Sequence, residues 1–303
     1  MKIILCLITL LLFPIHVYAE TDIDAERMAL YKKTEAVTFL PWHYLAAVDE
    51  YERQINDKDT LISLDPPDWF WQGTEDGLSM KGWNRDGDGD GKGSRDSDED
   101  TLYSTAKYLT SNGLSRQDIK IALWNYYERE VTVQSIMNNA KLYETFQTLN
   151  LDQHAFPVPL SSNYSYNNTW GDGRGYGGAR IHEGTDIFAD YSTPVYATTY
   201  GVVEMKGWNK YGGWRIGIRD PYNTYHYFAH LSGYPEDLEI GSIVEPGQQI
   251  GSVGSTGYGP KGTSGKFPPH LHYGMYKDNG KTEWAHNPYS YLTQWERKKQ
   301  PAS

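Results

Sequence analysis

Residues 270–276 read HLHYGMY, and this run decides how the second half of the chain must fold. His270-Leu271-His272 leads into an alternating stretch from Tyr273 to Tyr276. In an extended strand, residues two apart share a face, so both imidazoles project together while Leu271 points into a core. Working outward, the same character begins after Phe156-Pro157-Val158-Pro159. Short alternating runs occupy Pro194 to Val203, Trp214 to Arg219, Tyr225 to His230 and Ser242 to Val253, separated by Gly, Asn and Pro turns. That pattern predicts an antiparallel all-β domain. The Asn-, Tyr- and Gly-rich stretch from Ser161 to Gly178 predicts a long loop forming one wall of a cleft.

The first half has helical periodicity. Leu45, Val48, Glu52 and Ile55 follow three- and four-residue spacing, as do Leu102, Ala106 and Leu109. Ser115 and Asp118 make a capping pair ahead of Ile119, Leu123 and Tyr126, and Val133, Ile136, Ala140 and Tyr143 form another stripe. Four or so helices are expected. Ahead of them, Lys2, the apolar run Ile3 to Phe13 and Val17-Tyr18-Ala19 read as an export signal. The apolar run is shorter than the ~20 residues that a membrane-spanning helix needs. The expected organisation is a signal over 1–19, a helical domain over 20–150 and a β-domain over 151–303, an α+β multidomain chain that acts as a secreted, extracellular or wall-associated monomer.

Composition excludes several classes of function. The net charge is −11, and loss of Lys2 with the signal makes it one unit more negative. Nucleic acid is therefore not an expected partner, and neither is an anionic membrane, because both need clustered Lys and Arg. The one cysteine, Cys6, lies inside the signal. The exported chain would have no disulfide, no thiolate metal site and no cysteine nucleophile.

The polar chemistry is concentrated in the β-half. His182-Glu183-Gly184-Thr185-Asp186 places an imidazole and a carboxylate four apart, on a turn leading into a strand. Two His and one Asp would give zinc three protein ligands and leave its fourth position open, the mark of a catalytic rather than a structural site.

Residues 180 to 276 resemble the lysostaphin/LytM-type zinc endopeptidases, the family with the duplicated-hybrid-motif fold. The matching pieces come in the family's order: HxGxD at His182 to Asp186, TPVYATTYGVV, YFAHLS at Tyr227 to Ser232, EPGQQIGSVGSTG at Glu245 to Gly257, and HLHY at His270 to Tyr273. The resemblance implies a β-domain with zinc at the floor of a long groove, and bacterial peptidoglycan peptides as substrate. It places the ligands at His182, Asp186 and His272, and two further catalytic histidines at His230 and His270. An activated water would attack the scissile carbonyl, and imidazoles, which titrate near working pH, would move the protons. Tyr176 is a candidate oxyanion donor, with Tyr164 and Tyr166 as competitors. His226 would share a strand face with His230, yet the family gives it no role, so packing is its expected use; His43, His154 and His286 have no matching partners. Two departures bear on specificity: YGPKGTSGKFPP between Gly257 and His270 is longer than usual, and Gly274 stands where many relatives carry Glu.

In the helical half, Asp86, Asp88 and Asp90 precede Gly91 in a DxDxDG loop that suits calcium, with Lys92 and Asp100 completing the candidate set. Ser97, not Glu, occupies the twelfth position, so Asp100 would have to reach back; the alternative is a solvated acidic turn. LPWHYLAAVDEYER at Leu40 to Arg53 and the acidic loop with its following helix resemble a lytic-transglycosylase, lysozyme-like domain. The resemblance implies a catalytic glutamate at Glu52, with Glu50 serving the alignment almost as well. The Glu-Ser or Glu-Thr pair of such enzymes is Glu52-Arg53 here, so a glycan-binding or structural domain is expected rather than a second active site. Two rivals remain open at this point: a non-catalytic wall-binding scaffold, and a glycan-cleaving enzyme working through the helical half. Sequence leaves the bond cut unspecified.

Overall fold

The computed structural model describes residues 22–57, 60–73, 82–175 and 179–298. The expected export signal lies outside these residues, as does Tyr176. Among the described residues no helix is long and apolar enough to cross a membrane.

Among the described residues six helices form the first half: α1 (Ile23–Thr38), α2 (Trp42–Asn56), α3 (Asp68–Gln72), α4 (Asp98–Leu109), α5 (Arg116–Tyr127) and α6 (Glu130–Phe146). The expected stripes on α2, α4 and α6 meet in one apolar core. Residues 42–52 of α2 are buried on every face, which makes it the central helix. The Ser115–Asp118 pair forms a full capping box at the start of α5. Two helices exceed the expected number. α1 buries Arg27, Tyr31, Thr34 and Thr38, a polar stripe with no apolar signal, and α3 is little more than one turn.

The second half is built from β1 (Tyr164–Tyr166), β2 (Gly173–Arg174), β3 (Arg180–Ile181), β4 (Thr185–Ala189), β5 (Pro194–Tyr196), β6 (Gly201–Asn209), β7 (Gly213–Arg219), β8 (Thr224–Gly233), β9 (Ile243–Val244), β10 (Gln249–Val253), β11 (His270–Asp278), β12 (Glu283–His286) and α7 (Tyr289–Arg297). The main sheet runs β1-β4-β11-β8-β7-β6-β9, with β10 bridging β5 and β8 and β12 flanking β11; every pairing is antiparallel. Two expected runs split, Pro194 to Val203 into β5 and β6 and Ser242 to Val253 into β9 and β10. The expected loop over 161–178 contains β1 and β2. β12 and α7 add an edge strand and a helix whose Leu292 and Trp295 close the β-core beneath Leu271 and Tyr273.

The halves share a polar seam. Arg129, just before α6, donates to both carboxylate oxygens of Asp278 at 2.6 and 2.8 Å, and Tyr51 of α2 adds a third donor at 3.3 Å. Asn138 of α6 donates to Glu204 of β6 at 2.9 Å. Asp278 is the last residue of β11, so the strand carrying HLHY is anchored on the helical half.

Candidate metal centre and groove

The register of β11 builds the centre. His272 lies directly opposite Asp186 on β4 and opposite Ala229 on β8. Cross-strand partners share a face, so the imidazole and the carboxylate are brought together by pairing alone. Leu271 and Tyr273 point the other way and are fully buried. His182 arrives from the turn before β4, where Gly184 lets the chain pass against the His272 ring.

Donor atoms of His182, Asp186 and His272 all lie within 4.8 Å of one another. His182 Nε2 is 2.9 Å from His272 Nδ1, and both nitrogens are 3.0 Å from Asp186 Oδ1. The Nδ1–H of His182 donates to the carbonyl of Thr169 at 2.8 Å, which leaves Nε2 unprotonated toward the cluster in the neutral ring. Burial would raise the Asp186 pKa, but the His182 and His272 rings set against its Oδ1 outweigh it and hold the carboxylate well below its usual range. Burial lowers His272, against the pull of Asp186. Two imidazole nitrogens and an ionised carboxylate converging on one point are a donor set that suits a zinc-like cation.

His230 and His270 flank the cluster, their ring centroids 4.8 Å apart. Each donates its Nδ1–H to a backbone carbonyl, His230 to Thr256 at 2.8 Å and His270 to Pro268 at 2.9 Å, so Nε2 of each neutral ring is free to accept a proton. Burial first, then the neighbouring His270 and His272, push His230 down to about 3; burial also lowers His270, opposed by Asp186.

The expectation that His226 and His230 share a face fails. The β7–β8 register slips between Trp214↔Leu231 and Ile216↔Phe228, so one extra residue bulges from β8. His230 sits at the bulge with φ 64° and turns into the groove, while His226 faces the core. There His226 contacts Asp220 at 3.0 Å and the Tyr273 hydroxyl at 2.7 Å, the packing use expected of it.

A groove of about 410 Å³ lies over the cluster. Its walls include two residues the motifs did not flag, Arg174 and Arg180. Arg174 forms an ion pair with the outer oxygen of Asp186 at 2.5 Å. The two are twelve residues apart in a Gly-rich stretch, and no sequence signal links them.

In the acidic loop, Asp86, Asp88 and Asp100 come within 4.8 Å, but Asp90 is not part of the group, and the Lys92 side chain has no ligand atom for a cation. Asp100 already accepts backbone amides of Gly87, Asp88 and Ser94 at 2.6, 3.2 and 2.8 Å. The loop is thus closed by its own hydrogen bonds, and calcium has no support beyond the clustering. Glu52 is buried under Tyr127, which donates to it at 2.6 Å, and Glu50 pairs with Arg27. Neither carboxylate faces an open cleft like the one over His272.

An antiparallel sheet that gathers two imidazoles and a carboxylate beneath an open groove defines a metal-dependent hydrolase. The chain belongs to peptidase family M23, whose pattern matches residues 180–285. It is 54% identical to the L-Ala--D-Glu endopeptidase of Bacillus subtilis (strain 168), over 98% of both chains. It is also 33% identical to lysostaphin of Staphylococcus staphylolyticus, over 41% of this chain and 26% of that protein. Among solved structures, the catalytic domain of lysostaphin from Staphylococcus simulans matches with 32% identity and a TM-score of 0.35, covering 43% of this chain and 93% of that one.

Proposed function

We propose that this chain is an exported zinc endopeptidase that hydrolyses the L-Ala–D-Glu amide in peptidoglycan stem peptides. The observation that carries the chemistry is the convergence of His182, Asp186 and His272, with His230 and His270 beside them, on the floor of one groove. The choice of bond is supported by the 54% identity to the Bacillus endopeptidase over nearly the whole of both chains.

His182 Nε2, His272 Nδ1 and an Asp186 carboxylate oxygen would hold the metal. Zinc held there supplies a Lewis acid for the scissile carbonyl and brings the pKa of a water toward ~7. The rest falls to the protein. The Nε2 of His230 or His270 takes the proton as water attacks, and an imidazolium returns it to the departing amine. The carbonyls of Thr256 and Pro268 hold the two rings in the tautomer this needs. Arg174 holds the outer Asp186 oxygen, leaving Oδ1 for the cluster.

The division into an export signal over 1–19, a helical domain over 20–150 and a peptidase domain over 151–303 belongs to the same reading. Two apolar cores support the helical and β divisions, the first of them reaching over to Leu151 and to Val202 of β6. The buried state of Glu52 favours a structural role for the helical half over glycan cleavage. The intact donor set speaks against the scaffold rival. The test is digestion of peptidoglycan with mass spectrometry of the fragments. New amino-terminal D-Glu, lost on chelation and restored by zinc, is expected; cleavage only at cross-bridges or glycan would refute the proposal.

A further inference from the structure

Arg180 and Glu183 are the charged groups lining the groove that the chemistry above leaves unused, and Arg180 is the cation of the two. It lies directly across the β2–β3 ribbon from Arg174, so the two guanidiniums share a face. Like charges directly opposite are destabilising, and this pair sits in a chain whose net charge is −11. Arg174 is neutralised by Asp186. Among the described residues, Arg180 has no carboxylate within ion-pair distance.

What Arg180 does have is a brace. Its guanidinium lies 5.7 Å from the centroid of the Tyr211 ring, and it donates to the Tyr258 hydroxyl at 3.3 Å. Tyr258 belongs to the long insert before His270 and stacks on His230, 5.9 Å between centroids and 20° between planes. Arg180 is thus held one aromatic ring away from a candidate proton carrier. Lys210 lies over the same Tyr211 ring, which adds a second positive charge to this wall. A planar guanidinium held in place, with donors to spare and no anion, matches a carboxylate.

We propose that Arg180, braced by Tyr211 and Tyr258, reads a carboxylate on the residue that follows the scissile bond. The inference rests on the L-Ala–D-Glu assignment and supplies its specificity. A glutamyl residue gives its amino group to the scissile amide and continues the chain through one carboxyl at most. Its other carboxylate is free and lies within a few bonds of the reaction centre. Glycine bridges and other neutral residues offer nothing at that position.

The test is a matched pair of stem peptides, one with D-Glu after L-Ala and one with that free carboxylate converted to the amide, cut by the full-length zinc-loaded enzyme. Wild type is expected to favour the carboxylate in kcat/KM on the order of 10- to 100-fold, the worth of one charge-assisted hydrogen-bond pair. Arg180→Ala should bring the ratio close to one, Arg180→Lys should keep part of it, and Tyr258→Phe, which frees the guanidinium from its brace, should lower it less. A wild type without preference, or Arg180→Ala with the preference intact, overturns the assignment of Arg180 while leaving the bond assignment standing. A wild type that cuts neither peptide yet digests whole peptidoglycan at another bond overturns both.

Discussion

Gly184 offers the sharpest test of how the proposed metal centre is held. A Cβ at this position would stand 2.6 Å from His272 Cε1, 2.6 Å from the carbonyl oxygen of Tyr273 and 2.8 Å from His272 Nε2. None of these is a flexible side-chain tip: one neighbour is the backbone of β11, the other a proposed ligand packed between strands. Ordinary contact begins near 3.4 Å, so Gly184→Ala forces a displacement of about 0.8 Å at one or the other. Donor positions around zinc are held to about 0.2 Å, and a misplacement near 1 Å at a reacting centre can cost ~100-fold.

The expected result is zinc affinity down about 10- to 100-fold, and kcat/KM down about 100-fold even at saturating zinc, because His272 no longer sits square to Asp186. Overpacking of this kind costs about 1–3 kcal/mol, less than the stability of an ordinary domain, so the variant should remain folded. Competition with a chromophoric chelator measures the affinity, peptide hydrolysis the rate, and circular dichroism the fold. A folded Gly184→Ala protein with affinity and kcat/KM within threefold of wild type would refute this account of the glycine.

The two histidines of HLHY should separate in one experiment. His272→Ala is expected to lose both hydrolysis and bound zinc, whereas His270→Ala loses hydrolysis at least ~100-fold and keeps the metal, as read by metal analysis and peptide cleavage. Arg129→Ala leaves Asp278 buried without its cation and should cost about 3 kcal/mol in denaturant unfolding; an unchanged midpoint would show that the seam between the halves contributes nothing. Glu52→Gln is expected to retain peptide hydrolysis within threefold, because Glu52 is enclosed with Tyr127 rather than facing substrate; loss of all wall lysis would restore the glycan-cleaving rival.

The centre was largely legible because its parts are local. HLHY fixes two imidazoles on one strand face, HxGxD brings a turn to a strand, and one antiparallel register joins them. The apolar stripes of α2, α4 and α6 were legible for the same reason. What sequence could not supply depended on partners far away in the chain. The stripe of α1 is polar, and its burial makes sense only beside Asp49 and Glu50, which Arg27 and Tyr31 bind. α7 is short, and its Leu292 and Trp295 become core residues only once the sheet above them exists. Arg174 and Arg180 sit in a stretch without periodicity, and their meaning comes from Asp186, Tyr211 and Tyr258.

The failed parity of His226 and His230 shows where local reading stops. Strict alternation along β8 would turn both rings to the core face, where His226 lies. The bulge that separates them is set by other segments: the His230 amide donates to Gly212 at 2.8 Å, and its Nδ1–H to Thr256 at 2.8 Å. Gly213, with φ 64°, passes so close to Thr256 that a Cβ there would lie 2.3 Å from its hydroxyl. A left-handed conformation at a residue other than glycine costs about 1–2 kcal/mol. Here two hydrogen bonds and the rings of Phe267 and Tyr258 offset that cost. A strand that kept its alternation would be more relaxed and would leave only His270 to carry protons. The strained bulge is therefore what turns a core position into the second proposed proton carrier, and the groove-side imidazole of His230 depends on the β7–β8 slip as much as on the histidine itself.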